Sequence, residues 1–219
     1  MNTRAEPKDL ETEHPREAAR EAKAALYREH ILAMAEQVFG EQGYQRAKVQ
    51  DISQRAGLSM GSIYALFPGK QQIFDDIMEK RRLEFLEIIR EHTAKYEAPL
   101  ECLEALSRAF IGYFHEHRDF LRMQLQLGAA WADGAIPAKA RHHSEVAAEI
   151  HDLQLRIFQK GVATGAFIEE DPAYLETLFS GIDQIHLGHW LSHGGTETVE
   201  ELTERFLRIL RRTFVRTDN

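Results

Sequence analysis

Apolar residues return every three or four positions along most of this 219-residue chain, and no stretch alternates with the period of two that a half-buried strand requires. Tyr27, Ile31, Met34, Ala35 and Val38 mark the inner face of a first helix, which Pro15 can open and which runs to Gly40. Val49, Ile52 and Ala56 give a short second helix; Ile63 and Phe67 give a third that Pro68-Gly69 stops. Ile73, Phe74, Ile77, Leu83, Phe85, Leu86 and Ile89 trace a long helix over about 71–95. Pro99 opens the next, with Leu103, Leu106, Phe110, Tyr113 and Phe114 inward, and a shorter one covers about Phe120–Leu127. Trp131-Ala132-Asp133-Gly134 with Pro137 reads as a loop. Val146, Ile150, Leu153, Ile157 and Phe158 then line a helix over about 138–163. Asp171-Pro172 begins another that Gly194-Gly195 ends near 193, and Thr196 or Thr198 caps a last helix reaching about Arg216. The pattern predicts an all-α protein of about nine helices: a polar, aperiodic tail over 1–14, a helical head over 15–70 and a larger helical body over 71–219.

The turn at Gly57-Leu58-Ser59 carries the sharpest local signal. Gly57 can take the left-handed conformation that ends the second helix. Ser59 suits the N-cap of the third, accepting from the backbone N–H of Gly61 or Ser62. With Ile63 and Phe67 turned inward, Gly61, Ser62 and Ala65 face out and Tyr64 sits on the flank. A short helix with a small-residue outer face, braced across a tight turn, has the shape that enters a DNA major groove.

Over about residues 24–85 the chain resembles the TetR family of transcriptional regulators. The residues that carry the resemblance are Gly43-Tyr44, Val49-Gln50-Asp51-Ile52, Ala56-Gly57-Leu58-Ser59-Met60-Gly61-Ser62-Ile63-Tyr64 and Phe67-Pro68-Gly69-Lys70, preceded by the helix Ile31–Phe39 with Ala35 and Gly40. The resemblance implies a dimer that binds a double-stranded DNA operator, with a helical domain behind each head that senses a small-molecule effector. It also implies that Ser59, Ser62, Tyr64 and Lys70 touch phosphate, contacts that hold register without reading sequence. Two departures stand out. Ala47-Lys48 occupy the place of the usual capping Thr or Ser, so Lys48 offers charge but no cap, and Ala65-Leu66 replace a His and a Tyr. The outer face therefore lacks the Arg, Asn and Gln that make bidentate base contacts. Gln50 is the nearby amide, Ser62 can bond weakly to a base edge, and Met60 and Ala65 can pack on thymine methyls beside Gly61, so sequence preference is expected to lean on methyl contacts and DNA shape.

A net charge of −8 looks wrong for a DNA binder until it is divided. Residues 1–72 carry ten basic and ten acidic side chains, and the whole deficit lies in 73–219. Within 42–70, Arg46, Lys48, Arg55 and Lys70 face Asp51 alone. Local charge governs phosphate affinity. Arg16, Arg20 and Lys23 line one side of the first helix and could reach a DNA backbone, but they alternate with Glu17, Glu21 and Glu29 and read first as a solvated helix. The lone Cys102 forbids an internal disulfide, fits a reducing cytoplasm and reads as a buried small residue. No apolar run reaches the length of a membrane span and no secretory signal is evident.

The helix over about 172–193 and the last helix look like the pair the family uses to dimerise. Gly181 and Gly188 lie on one stripe with Tyr174, Leu178, Ile182 and Ile185, and small residues on a stripe let helices approach closely. The aromatic-rich body helices should leave an apolar cavity, for which Phe110, Tyr113, Phe114, Met123, Leu127, Trp131, Phe158 and Trp190 are the candidate walls. His186, His189 and His193, like His142, His143 and His151 before them, have no acidic or cysteine companion at ligand spacing, so no metal and no cofactor is expected. No nucleophile–base set or Gly-rich phosphate loop supports an enzyme on this scaffold. The function expected is a ligand-responsive regulator, most simply a repressor released by an apolar or amphipathic molecule. An activator or a constitutive DNA-binding protein is the alternative.

Overall fold

The computed structural model describes residues 15–132 and 145–216, with side chains over 17–127 and 145–216. Its helices are α1 (Pro15–Gln42), α2 (Val49–Ala56), α3 (Met60–Tyr64), α4 (Lys70–Lys95), α5 (Pro99–Glu116), α6 (Arg118–Ala132), α7 (Glu145–Ala163), α8 (Pro172–Ser192) and α9 (Val199–Phe214). The all-α class is as expected; among the described residues β-pairing is limited to one isolated bridge between Phe167 and Val215. The expected loop at Trp131-Ala132 is instead the end of α6; the rest of that loop, the tail over 1–14 and the stretch 138–144 lie outside the described residues.

Local signals explain most boundaries. Gly57 sits at φ 65°, and Leu58 N–H donates back to the Ser53 carbonyl at 3.1 Å, closing α2. Ser59 Oγ accepts from Ser62 N–H at 3.1 Å and opens α3. Regular helix then ends at Tyr64, although Phe67 N–H still donates to the Ile63 carbonyl at 2.9 Å. The missing cap at Lys48 is made good from the other side. Asp51 Oδ2 accepts from Lys48 N–H at 2.9 Å, a half capping box built without a capping hydroxyl. Thr198, rather than Thr196, caps α9 in a full box with Glu201.

One continuous core runs from Ile31, Val38, Phe39, Ile52, Ile63 and Phe67 in the head, through Ile73 and Ile77 of α4, to Phe158, Phe179, Phe206 and Phe214 in the body. Two devices lock head to body. In the first, Arg81 of α4 donates to both carboxylate oxygens of Glu36 on α1, at 2.9 Å each, and to Glu84 at 2.7 Å. Arg81 and Glu36 keep only 12% and 11% of their side-chain surface exposed. Hydrogen bonds to Glu36 and Glu84 hold the Arg81 pKa above its ordinary value in spite of burial. Tyr113 Oη also donates to Glu84, and burial together with that carboxylate raises the phenol pKa. In the second, α6 lies along α1 so closely that a Cβ on Gly40 would stand 2.9 Å from the Asp119 backbone. Gln126 Nε2 donates to the Gly40 carbonyl at 3.3 Å in the same contact.

Candidate nucleic-acid interface and body cavity

Alpha-3 presents its small-residue face as its sequence requires. Ile63 and Phe67 are fully buried, while Ser59, Gly61, Ala65 and Tyr64 are exposed, Tyr64 with 52% of its surface free. Met60 and Ser62 are half-buried. The Ser59 and Ser62 hydroxyls lie 2.9 Å apart and are hydrogen-bonded to each other. Lys48 and Gln50 are exposed at the start of α2, beside an exposed Arg46 whose Nε is held by the Gln42 carbonyl at 2.8 Å.

Two cations of the head are engaged within the chain. Arg55 donates to both oxygens of Glu41, at 2.7 and 2.6 Å, and the guanidinium holds the Glu41 carboxyl below its usual pKa. Lys70 Nζ turns inward, donating to the carbonyls of Tyr44 at 2.7 Å and Ala47 at 3.0 Å while lying 4.3 Å from the centre of the Tyr44 ring. The structure thus gives Lys70 a task the sequence did not reveal. It closes the loop between α1 and α2, whose turned backbone aims its carbonyls at one point.

In the body, helices α4 to α8 enclose a cavity of about 280 Å³. Of the expected walls, Phe110, Phe114 and Leu127 line it. The others go elsewhere. Phe158 is fully buried among Phe167, Phe179 and Phe214, with ring centres 5.6, 5.7 and 5.6 Å away. Trp190 is packed between the His115 ring at 5.1 Å and the Arg118 guanidinium at 4.7 Å. Tyr113 is spent on Glu84, and Met123 faces a separate hollow between head and body with Tyr44, Phe74 and Gln126. The Trp131 side chain lies outside the described residues. Aromatic type alone could not separate wall from core, since both use the same residues.

The polar part of the wall was not anticipated: Arg82 from α4, Gln124 from α6, Gln154 from α7, and Ser180, Asp183 and Gln184 from α8. Asp183 is four residues after Phe179 and four before Leu187, so it projects from the middle of the inward arc of α8. Burial, with no cation to oppose it, pushes its carboxyl up from 3.8 to about 7. A helical projection of α8 would have flagged this acid on an apolar face.

The stripe proposed for dimerisation lies on the opposite side of α8. Tyr174 and Ile185 are 57% and 75% exposed, and Leu178 and Ile182 are half-buried. A side chain on Gly181 would meet nothing within 4 Å, whereas one on Gly188 would approach Leu125 of α6 at 3.4 Å. Packing within the chain therefore accounts for the small residue at 188 but not at 181. His186 is buried and bonded through Nε2 to the Leu202 carbonyl at 3.0 Å, and burial lowers its pKa. The His189 and His193 rings lie 4.0 Å apart, tilted by 32°. Among the described residues no three His, Cys, Asp or Glu side chains are grouped to hold a metal, and no helix is long and apolar enough to cross a membrane. His142 and His143 lie outside them.

Comparison with known proteins follows this geometry closely. A family model described as bacterial regulatory proteins, tetR family, matches residues 31–77, and one described as a tetracyclin repressor-like C-terminal domain matches 96–214. The chain is 25% identical over 186 residues to the HTH-type transcriptional repressor KstR2 of Rhodococcus jostii, covering 84% of this chain and 88% of that one. Its fold is similar to the fatty acid degradation regulator FadR of Bacillus halodurans, with TM-score 0.66, 18% identity, and 84% and 94% of the two chains covered. It is similar also to FadR of Bacillus subtilis in complex with stearoyl-CoA, with TM-score 0.65, 17% identity and 83% and 96% coverage.

Proposed function

The chain belongs to the tetR family of bacterial regulatory proteins, and from that membership we propose that it is a cytoplasmic homodimeric repressor that leaves its operator when a small apolar or amphipathic molecule fills the body cavity. The observation that carries the reading is that two helices serve both sites at once. The far part of α4 lines the cavity through Met78, Arg82 and Phe85, while its first turns hold the head through Lys70, Ile73 and Phe74. Alpha-6 lines the cavity through Leu121, Gln124, Leu125 and Leu127, while Asp119 and Gln126 bear on Gly40 of α1. A ligand that prefers one spacing of these rods over another shifts the position of both heads without unfolding either.

In the DNA-competent dimer, the two α3 helices sit in successive major grooves, about 34–36 Å apart or a multiple of that. Tyr64, the Ser59–Ser62 pair and Lys48 hold phosphate, Lys70 shapes the loop behind them, and Gln50, Met60, Gly61, Ser62 and Ala65 face the base edges. The stripe of exposed Tyr174 and Ile185 with half-buried Leu178, Gly181 and Ile182, and Gly188 beside it, pairs with its copy across a twofold axis, and α9 completes a four-helix bundle. Support comes from KstR2, a named repressor along most of its length, and from a similar fold that holds stearoyl-CoA.

The test is selection of bound fragments from the source genome, followed by affinity measurement at several salt concentrations. Enrichment of a palindromic site whose affinity falls steeply with salt is expected. Recovery of random fragments, or of none, overturns the reading.

A further inference from the structure

The cavity holds a carboxyl group that no described residue partners. The other buried or half-buried carboxylates of the core are matched: Glu36 and Glu84 by Arg81, and Glu176 by His151 at 3.5 Å and by Ser180 Oγ at 3.4 Å. Asp183 is different. Among the described residues no side chain donates to its carboxylate and no cation lowers its pKa. Arg82 is the cation of the cavity wall, and its guanidinium is turned to Glu79 at 3.5 Å. Around Asp183 stand Phe110, Phe114, Phe179 and Leu187, with Gln124 and Gln154 as the neutral polar groups of the wall.

From this juxtaposition we propose that Asp183 makes the cavity a site for a hydrophobic amine, an apolar body bearing one protonated nitrogen that pairs with the carboxylate. The inference rests on the reading of the cavity as the effector site and names the class of effector. A cation arriving with its own apolar body supplies a counter-charge that no described side chain offers, and the pair forms at a half-buried carboxyl, where it is screened less than in open water. A carboxylate ligand would place a second negative charge against Asp183, and an alcohol would leave the charge unbalanced. The volume of about 280 Å³ is at the small end of ligand sites, which are commonly about 300–1,000 Å³, so the ligand is small.

The experiment uses the full-length protein and three isosteric probes, decylamine, decanol and decanoate, below their aggregation concentrations, with affinity read by calorimetry and operator binding read by anisotropy. The wild type should bind the amine about tenfold or more tighter than either analogue, the range of a hydrogen bond to a charged group. Asp183→Asn should abolish that preference while holding decanol affinity within about twofold. Equal binding of the three probes by the wild type, or an undiminished amine preference in Asp183→Asn, overturns the proposal; the comparison on the wild type needs no variant to fold. Decanoate that binds and releases operator would sink the amine assignment and leave the ligand-released repressor standing. Amine that binds through Asp183 without touching operator affinity would do the reverse.

Discussion

Replacing Gly40 by Ala drives a wedge between α1 and α6 and tests whether the body speaks to the head through that contact. The added Cβ would lie 2.9 Å from the Cα, Cβ and O atoms of Asp119. Two carbons pack best at about 3.5–4.0 Å, so the helices must part locally by roughly 0.6–1.1 Å. The crowding atoms belong to Asp119 itself, two backbone and one its Cβ, and no rotamer change removes them. Overpacking of this kind costs about 1–3 kcal/mol. Alanine in place of glycine inside a helix returns up to about 1 kcal/mol, so the net loss should be about 0–3 kcal/mol and the fold should survive. Because Gly40 leads directly into the loop that Lys70 closes and on to α2 and α3, the displacement falls on the reading head. Operator affinity should drop by about 5–150-fold, the usual span of a coupling of about 1–3 kcal/mol. Anisotropy with a labelled operator measures this, beside thermal melting and sedimentation. Gly112→Ala on α5, where a Cβ meets nothing within 4 Å, is the control. If Gly40→Ala bound operator like the wild type, α6 would not be a transmitting element.

Three further outcomes are expected. Gly181→Leu, on the exposed side of α8, should weaken the dimer by at least about tenfold in sedimentation while leaving the monomer's melting intact, because nothing in its own chain opposes the new side chain; an unchanged dimer would move the interface elsewhere. Tyr64→Ala and Lys48→Ala should weaken binding to all sequences alike, Lys48→Ala also flattening the salt dependence, whereas Ser62→Ala should change preference among sites; the opposite sorting in a binding-site selection would overturn these assignments. Asp183 holds its proton up to about pH 7 in the native protein and only to about 3.8 unfolded, so the native state binds more protons in that window and stability falls as pH rises through it. The neighbouring charged groups are Arg82 on α4, held by Glu79, and His151 on α7, held by Glu176 on α8. Asp183→Asn should therefore stabilise the fold at pH 8, by no more than the roughly 4 kcal/mol that three pK units represent, and so raise the melting temperature there while changing it little at pH 4; equal effects at both pH values would contradict the burial of the acid.

The head was legible because its instructions are local. Gly57 ends α2, Ser59 caps α3 through Ser62, and the spacing of Ile63 and Phe67 turns the helix, all within a dozen residues. The loop-closing bonds of Lys70 were not legible, because their acceptors are backbone carbonyls some 25 residues earlier, brought to it only when α4 packs on α1. Lys48 offers no capping hydroxyl, and the acceptor that Asp51 supplies from within α2 was passed over. In the body, Phe110 and Phe158 read alike in sequence, and only the crossing of α7, α8 and α9 puts one on the cavity and the other inside the core. Asp183 was legible in principle, as an acid on the inward arc of α8 between Phe179 and Leu187, but a search for apolar walls passes over it.

The most direct test of ligand-controlled DNA release is a double titration: effector affinity measured for the free dimer and again for the dimer saturated with operator. Linkage requires that operator weaken the effector by the same factor by which effector weakens the operator. The account predicts equal factors of about 5–150 that shrink together in Gly40→Ala, whose head is already displaced. An effector that binds the free and the DNA-bound dimer equally well would contradict it.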